Sequence, residues 1–340
     1  KPDDYPGRHE FSIKGLAAVV RKFAALKVVV MGDLIVDEYI NCEPLGMSQE
    51  DPTVVVTPIR SDRFVGGAGI VAAHARGLGA EVKYIYIAGD DEMGAYADDM
   101  LARYNVKGER IVDESRPTTL KQRYRAQGKT LLRVSHLKQH DIPQEVAETL
   151  FEKTRKALED ADLLMFSDFN YGCLPQFLVD EVTRYCRQRE IMMVADSQSS
   201  SQVSDVSRFK GMRLLTPTER EARLATRDFG SGLVVLAEAV RQKAEAQHVI
   251  LTLGSEGLLV QVPDPNPRMF ATDQLPAFNS APKDASGAGD SVLACASMAL
   301  AVGADIWQSA YLGSIAAALQ VGRVGNTPLT AQELIAELMF

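Results

Sequence analysis

Asp284-Ala-Ser-Gly-Ala-Gly-Asp290 runs directly into an apolar stretch, Ser291–Val302, that reads as a buried helix. A Gly-Ala-Gly turn at a helix start leaves the first backbone N–H groups without intrahelical partners, and the helix dipole favours negative charge there. The amides of Gly287, Ala288 and Gly289 therefore form a candidate cradle for an anion, with the carboxylate of Asp290 in the first turn beside it. A phosphoryl group in transit is such an anion, and a carboxylate at that spot can accept a proton from an attacking hydroxyl. The plain alternative is a helix start whose Asp balances the dipole. Spacing alone leaves the two readings level.

Upstream of this turn, short apolar runs alternate with amphipathic stretches. Lys27–Met31 ends at Gly32-Asp33, Glu81–Ile87 at Gly89-Asp90-Asp91, and Leu163–Phe166 at Ser167-Asp168. Ile191–Val194 ends at Asp196, Arg213–Leu215 at Thr216-Pro217, and His248–Leu253 at Gly254. Ala68–Leu78, Pro175–Arg189 and Leu233–Glu245 carry helical periodicity between them. The alternation predicts an α/β fold, a mostly parallel sheet sandwiched by helices. Ligands of open α/β sheets bind at the carboxyl ends of the strands, so Asp33, Asp90, Asp168, Asp196, Thr216 and Gly254 are predicted to line one rim. Loop punctuation by Asp and Gly is the bland explanation of any one of them.

Two segments break the alternation. Glu38–Phe64, containing Thr53–Thr57, and Thr118–Val134, around a Gln127-Gly128 turn, read as strands with no helix between them. They predict a small β-sheet inserted as a lid at about residues 38–64 and 117–135 of a body spanning 27–340, behind an N-terminal helical extension at 1–26. Such a sheet can shield a reaction from water. With one apolar face it also needs a cover, so a homodimer through the lid sheet is expected.

The 340 residues are 46% hydrophobic and 24% charged, proportions of a globular protein. With 37 Lys+Arg against 45 Asp+Glu the net charge is −8, which is no footprint for nucleic acid. The longest apolar stretch, Val292–Val302, falls well short of the ~20 residues of a membrane span, so no membrane partner is expected either. The polar start lacks an initiator Met and reads as trimmed. Cys42, Cys173, Cys186 and Cys295 stand far apart without a CxxC, as do reduced thiols of a cytoplasmic enzyme. Gly128-Lys129-Thr130 has the tail of a P-loop, but Arg123 stands where the first Gly is required. His136 and His140 lack an HExxH context and are not read as metal ligands. Lys121, Arg123 and Arg125 alternate along a strand and share one face, fit either to hold an anionic group or to solubilise an edge.

Gly-Ala-Gly-Asp opening a late apolar helix resembles the signature of the ribokinase-like (PfkB) sugar kinases, and the resemblance runs from about Val28 to Leu338. It implies a ribokinase-like fold, ATP as phosphate donor, Asp290 as catalytic base, and the Gly287, Ala288 and Gly289 amides as anion hole. Gly32-Asp33-Leu-Ile-Val-Asp37 resembles the family's first strand end, where Asp37 would bind sugar hydroxyls, and Gly66-Gly67-Ala68-Gly69 its substrate-side glycines. Leu215-Thr-Pro-Thr-Glu-Arg-Glu221 resembles a segment whose Glu helps organise Mg²⁺, here Glu221, with Thr218 on the nucleotide side. Thr252-Leu-Gly-Ser-Glu-Gly257 resembles the strand end that receives the nucleotide, which implicates Thr252, Gly254 and Gly257. Asp196 and Ser314 occupy further nucleotide-side positions, and Asp284 is implied as a seat for a monovalent cation such as K⁺.

Met47–Pro52, Arg116–Arg123 with Leu131–Val134, Ser167–Gly172 and Val321–Gly325 resemble the subgroup that phosphorylates heptose 7-phosphates. That subgroup transfers the γ-phosphate to the anomeric hydroxyl of a sugar already phosphorylated at its far end, and Lys121 and Arg123 would hold the anionic end. Its nucleotidyltransferase half has no counterpart in these residues. The sequence departs from the family at Ile70 and Thr218, each an Asn there, and at Ala285 and Ser286, both Thr there. It departs also at Ser197-Gln198, a Pro-Lys there, at Ser314, an Asn there, and in lacking a Lys near Tyr171. The expectation is an ATP-dependent kinase for a small-molecule sugar or sugar phosphate. A nucleotide- or sugar-binding regulator with the kinase fold, or a kinase for another sugar or a nucleoside, is the alternative.

Overall fold

The computed structural model describes residues 4–199, 203–264, 266 and 271–339. Its strands are β1 (Lys27–Gly32), β2 (Leu34–Met47), β3 (Val54–Gly67), β4 (Glu81–Ala88), β5 (Lys107–Val112), β6 (Leu120–Ala126), β7 (Lys129–His136), β8 (Leu163–Asp168), β9 (Met192–Ser197), β10 (Leu214–Leu215), β11 (His248–Thr252), β12 (Leu258–Val262) and β13 (Ala271–Leu275). The helices are α1 (Asp4–Arg8), α2 (Leu16–Arg21), α3 (Ala68–Gly77), α4 (Glu92–Arg103), α5 (Gln144–Ala157), α6 (Gln176–Gln188), α7 (Glu219–Thr226), α8 (Leu233–Lys243), α9 (Ala288–Ala301), α10 (Ile306–Val321) and α11 (Ala331–Met339).

The large sheet has the order β13-β12-β11-β10-β9-β8-β1-β4-β5. From β5 to β11 all neighbours are parallel, and β12 and β13 close the other edge as an antiparallel pair. Strand side chains alternate between faces, and the two hydrophobic cores follow that period. Val28 and Val30 of β1 with Leu163 and Met165 of β8 face α3, α9 and α10. Val29, Met31, Leu164 and Phe166 face α5, α6 and α8. Helix α9 is buried from Asp290 to Leu300, as the apolar stretch after the glycine turn predicts. Tyr5, Leu16 and Phe23 of the N-terminal segment join the first core.

The small sheet has the order β3-β2-β6-β7, with β6 parallel to β2 and the other pairs antiparallel. It begins earlier than the alternation suggests. Strand β1 ends at Gly32, at φ 149°, and only Asp33 separates it from β2, so Asp37 lies inside the small sheet and not at the end of β1. The edge strands β5 and β13, and β12 beside the latter, are not among the apolar runs read from the sequence. Asp90 is exposed, and its neighbour Asp91 caps α4 through the Gly94 N–H.

Candidate active site

The glycine turn places Gly287 as N-cap of α9 with φ 77°, a left-handed conformation that a residue without Cβ adopts at no steric cost. A Cβ there would lie 2.3 Å from Asn326 Oδ1, whereas one on Gly289 would meet nothing within 4 Å. One glycine is packed from behind and the other faces open space. Asp290 follows in the first turn of α9, only 5% exposed.

Polar groups of the body and of the small sheet surround that carboxylate. Gln198 Nε2 donates to Asp290 Oδ1 at 2.9 Å and lies 3.3 Å from Asp196 Oδ2. Burial pushes Asp290 up to about 7, reinforced by Asp37 and Glu221 and opposed by the Gln198 hydrogen bond and the Lys121 charge. A base poised near neutrality suits proton abstraction at physiological pH. Burial, then the neighbouring Glu221 and Asp290, drives Asp196 well above the carboxylate range.

The small sheet supplies the opposite wall. Register pairs Asp37 with Lys121, Tyr39 with Arg123 and Asn41 with Arg125 across β2 and β6. Asp37 is raised by burial, an effect that Arg123 and Lys121 partly offset, and it accepts a hydrogen bond from Asn326 Nδ2 at 3.3 Å. A Cβ on Gly66 would fall 2.2 Å from Asp37 Oδ2, so only glycine lets that backbone approach. Gly67, at φ 60°, turns the chain into α3. Lys121 Nζ sits over the rings of Phe169 and Tyr171, 5.4 and 5.0 Å from their centroids. Arg123 stacks on Tyr39 and donates to Ser286 Oγ at 3.0 Å, which ties the sheet to the glycine turn.

Thr218 and Glu221 form a capping box at the start of α7. Glu221 Oε2 accepts the Thr218 N–H at 2.7 Å and Oε1 the Ser199 N–H at 3.2 Å. Thr252 ends β11 beside Thr218, Gly254 opens an exposed turn, and Gly257 closes it at φ 97°. Ser314 lies buried in α10. Of the predicted residues, Asp37, Lys121, Arg123, Gly287, Asp284 and Asp290 thus converge between sheet and body, while Thr218, Thr252, Gly254 and Gly257 occupy the strand-end rim.

The buried acids Asp196, Glu221 and Asp290 leave Asp196 Oδ1 without a partner. That excess negative charge suits Mg²⁺, which takes one or two carboxylates together with phosphate oxygens and water. Among the described residues no group of three or more His, Cys, Asp and Glu side chains is arranged to hold a metal ion by itself, so an ion here would lean on phosphate oxygens and water. Asp284 is different. Its carboxylate accepts the Tyr39 hydroxyl at 2.7 Å and the N–H groups of Ser286 and Gly325 at 3.0 Å each. Burial works against its charge, yet these donors and Arg123 hold it below the usual carboxylate value. Donors on both oxygens are a poor fit to a cation seat. Tyr39, Asn326 and Gln320 were missed from sequence. Tyr39 shares the strand face of Asp37, and Gln320 interrupts the apolar run of α10, which were the available signals.

A glycine turn with free amides at a helix start, a buried acid near neutrality and a facing wall of carboxylate, Lys and Arg are what a phosphotransferase with an alcohol acceptor requires. Residues 25–332 match the pfkB family of carbohydrate kinases. The chain belongs to that family and is a sugar kinase, and kinases of this family use ATP. It is 29% identical over 328 residues to the bifunctional protein HldE of Desulfatibacillum aliphaticivorans, spanning 94% of this chain and 64% of that protein. It is 31% identical over 331 residues to the bifunctional protein HldE of Caulobacter vibrioides, spanning 94% and 65%. The chain therefore covers just under two thirds of these relatives' length. In fold it is similar to Escherichia coli phosphofructokinase-2 in complex with substrates and products (TM-score 0.74, 15% identity, 92% of this chain and 98% of that one). It is likewise similar to Arabidopsis thaliana ribokinase complexed with ribose and ATP (TM-score 0.71, 16% identity, 93% and 99%).

Proposed function

We propose that this kinase transfers the γ-phosphate of ATP to a hydroxyl of a sugar that already carries a phosphate, of the heptose 7-phosphate kind. The observation that carries the reading is the β2–β6 register. It sets the Asp37 carboxylate directly beside Lys121, with Arg123 two residues on along the same strand face, on the wall facing Asp290. A neutral sugar needs the carboxylate; only an anionic acceptor needs the cations.

Asp37 and the Gly66-Gly67 backbone orient the acceptor, and Lys121 and Arg123 hold its anionic end. Asp290 takes the proton of the attacking hydroxyl, with Gln198 fixing one oxygen so that the other faces the acceptor. The amides of Gly287, Ala288 and Gly289 steady the negative charge of the migrating group. Thr218, Thr252, Gly254, Gly257 and Ser314 form the nucleotide side. Asp196, whose Oδ1 is unpartnered among the described residues, would hold Mg²⁺ with Glu221 assisting through water, and the ion when bound would offset charge on the nucleotide phosphates. Two copies are proposed to pair through the distal β2–β3 ribbon, where Leu45, Met47 and Ile59 are 63%, 62% and 69% exposed. Four free, buried cysteines suit a reducing compartment, and the cytoplasm is the proposed location.

Coupled ADP release over a panel of sugars, each offered with and without a terminal phosphate, tests the reading. The phosphorylated member of the preferred pair is expected to show kcat/KM higher by about 10²-fold, the worth of two charge-assisted contacts. Equal turnover of the free sugars would remove the anionic acceptor from the account.

A further inference from the structure

A side-chain amide supports the glycine turn. Gln320, near the end of α10, is fully buried, and its Nε2 donates to the main-chain carbonyl of Gly325 at 3.1 Å and to that of Ser286 at 3.4 Å. The two carbonyls belong to different loops, one entering the Gly287 turn and the other leaving α10. Carbonyl oxygens turned toward one point repel each other unless something positive stands between them, and here the amide hydrogens do. The opposite amide orientation would aim Oε1 at both oxygens, so the surroundings fix which end is nitrogen. The neighbouring Asp284 carboxylate already accepts Tyr39, Ser286 and Gly325 donors, three of the roughly four lone-pair sites such a group offers. The oxygens that a cation would need are already taken by N–H and O–H groups.

We infer that the Gln320 amide does in this chain what a bound monovalent cation would do at that place, pinning the Ser286 and Gly325 carbonyls together beneath the Gly287–Gly289 amides, so that phosphoryl transfer needs no potassium. Gln320 is then a positioning residue. It acts through Gly287, on which a Cβ would lie 3.5 Å from Gln320 Nε2. Its Oε1 has no partner among the described residues. A buried, half-satisfied amide in an otherwise apolar helix is costly, and the two carbonyls are the reason it stands there. The inference rests on the reading of this turn as the phosphoryl site, and its test separates the two.

Initial rates and melting temperatures of the wild-type enzyme are compared in potassium, sodium and tetramethylammonium chloride at equal ionic strength. Rates within about twofold and coincident melting are expected, since a specifically bound ion would stabilise the folded state by mass action. Specific activation by potassium of about tenfold or more, or melting raised by potassium alone, would overturn the inference. The Gln320→Ala variant is expected to lose about tenfold or more in kcat and to recover with potassium or ammonium, which fit the vacated gap. Undiminished kcat, or a loss that no cation repairs, contradicts it. Should that variant fail to fold, the wild-type comparison decides. Should no acceptor be phosphorylated, the proposed function fails while the melting comparison still tests the amide.

Discussion

Asp290 is a carboxylate held where its charge is unwelcome. Burial brings it to about 7, while an Asp in an unfolded chain titrates near ~3.9. Between those values the folded state binds more protons than the unfolded one, so this group's contribution to stability falls as pH rises through the window. Asn carries no such penalty. In metal- and nucleotide-free buffer, Asp290→Asn is therefore expected to melt above the parent by a few degrees at pH ~8, with the gap closing toward pH ~4. Thermal melts across that range check it, and a variant that melts lower at the alkaline end would show that the site bears no stored charge. Gln198 keeps a neutral donor on one of the Asp290 oxygens.

The start of α9 separates folding from function at neighbouring positions. Gly287→Ala places a methyl against Asn326 Oδ1 in a left-handed backbone, and a loss of about 1–3 kcal/mol is expected. Gly289→Ala meets nothing within 4 Å and should fold as well as the parent, because Ala favours helix over Gly by about 1 kcal/mol. Its methyl nonetheless enters the space proposed for the migrating group, so kcat is expected to fall by about tenfold or more. Melting curves with kcat for both variants test this; a fully active Gly289→Ala would move the phosphoryl site elsewhere. The helix start was legible because its chemistry is local: the unpaired amides, the glycines and the acid lie within one turn. Strand β8, buried along its whole length, was legible as an apolar run for the same reason. Strands β5 and β13 were not, because as mostly accessible edge strands they carry Lys, Glu, Arg, Asp and Gln without an apolar period. The contacts of Asn326 with Asp37 and of Tyr39 with Asp284 join residues 289 and 245 positions apart. No local pattern encodes such a pairing.

At the scale of the molecule, two walls of different origin meet at one carboxylate. The parallel sheet brings Asp196, Gln198 and the α9 turn together at its strand ends. The small sheet brings Asp37, Lys121 and Arg123 from the other side, and Arg123 with Tyr39 closes the gap through Ser286 and Asp284. In the proposed reading each half holds one reactant, so catalysis would depend on their juxtaposition. The most direct measurement is steady-state turnover of Asp290→Asn against the parent, at saturating ATP and with the best phosphorylated sugar. The account predicts that kcat drops by about 10² to 10⁴-fold with nucleotide binding retained. An unchanged kcat would contradict it.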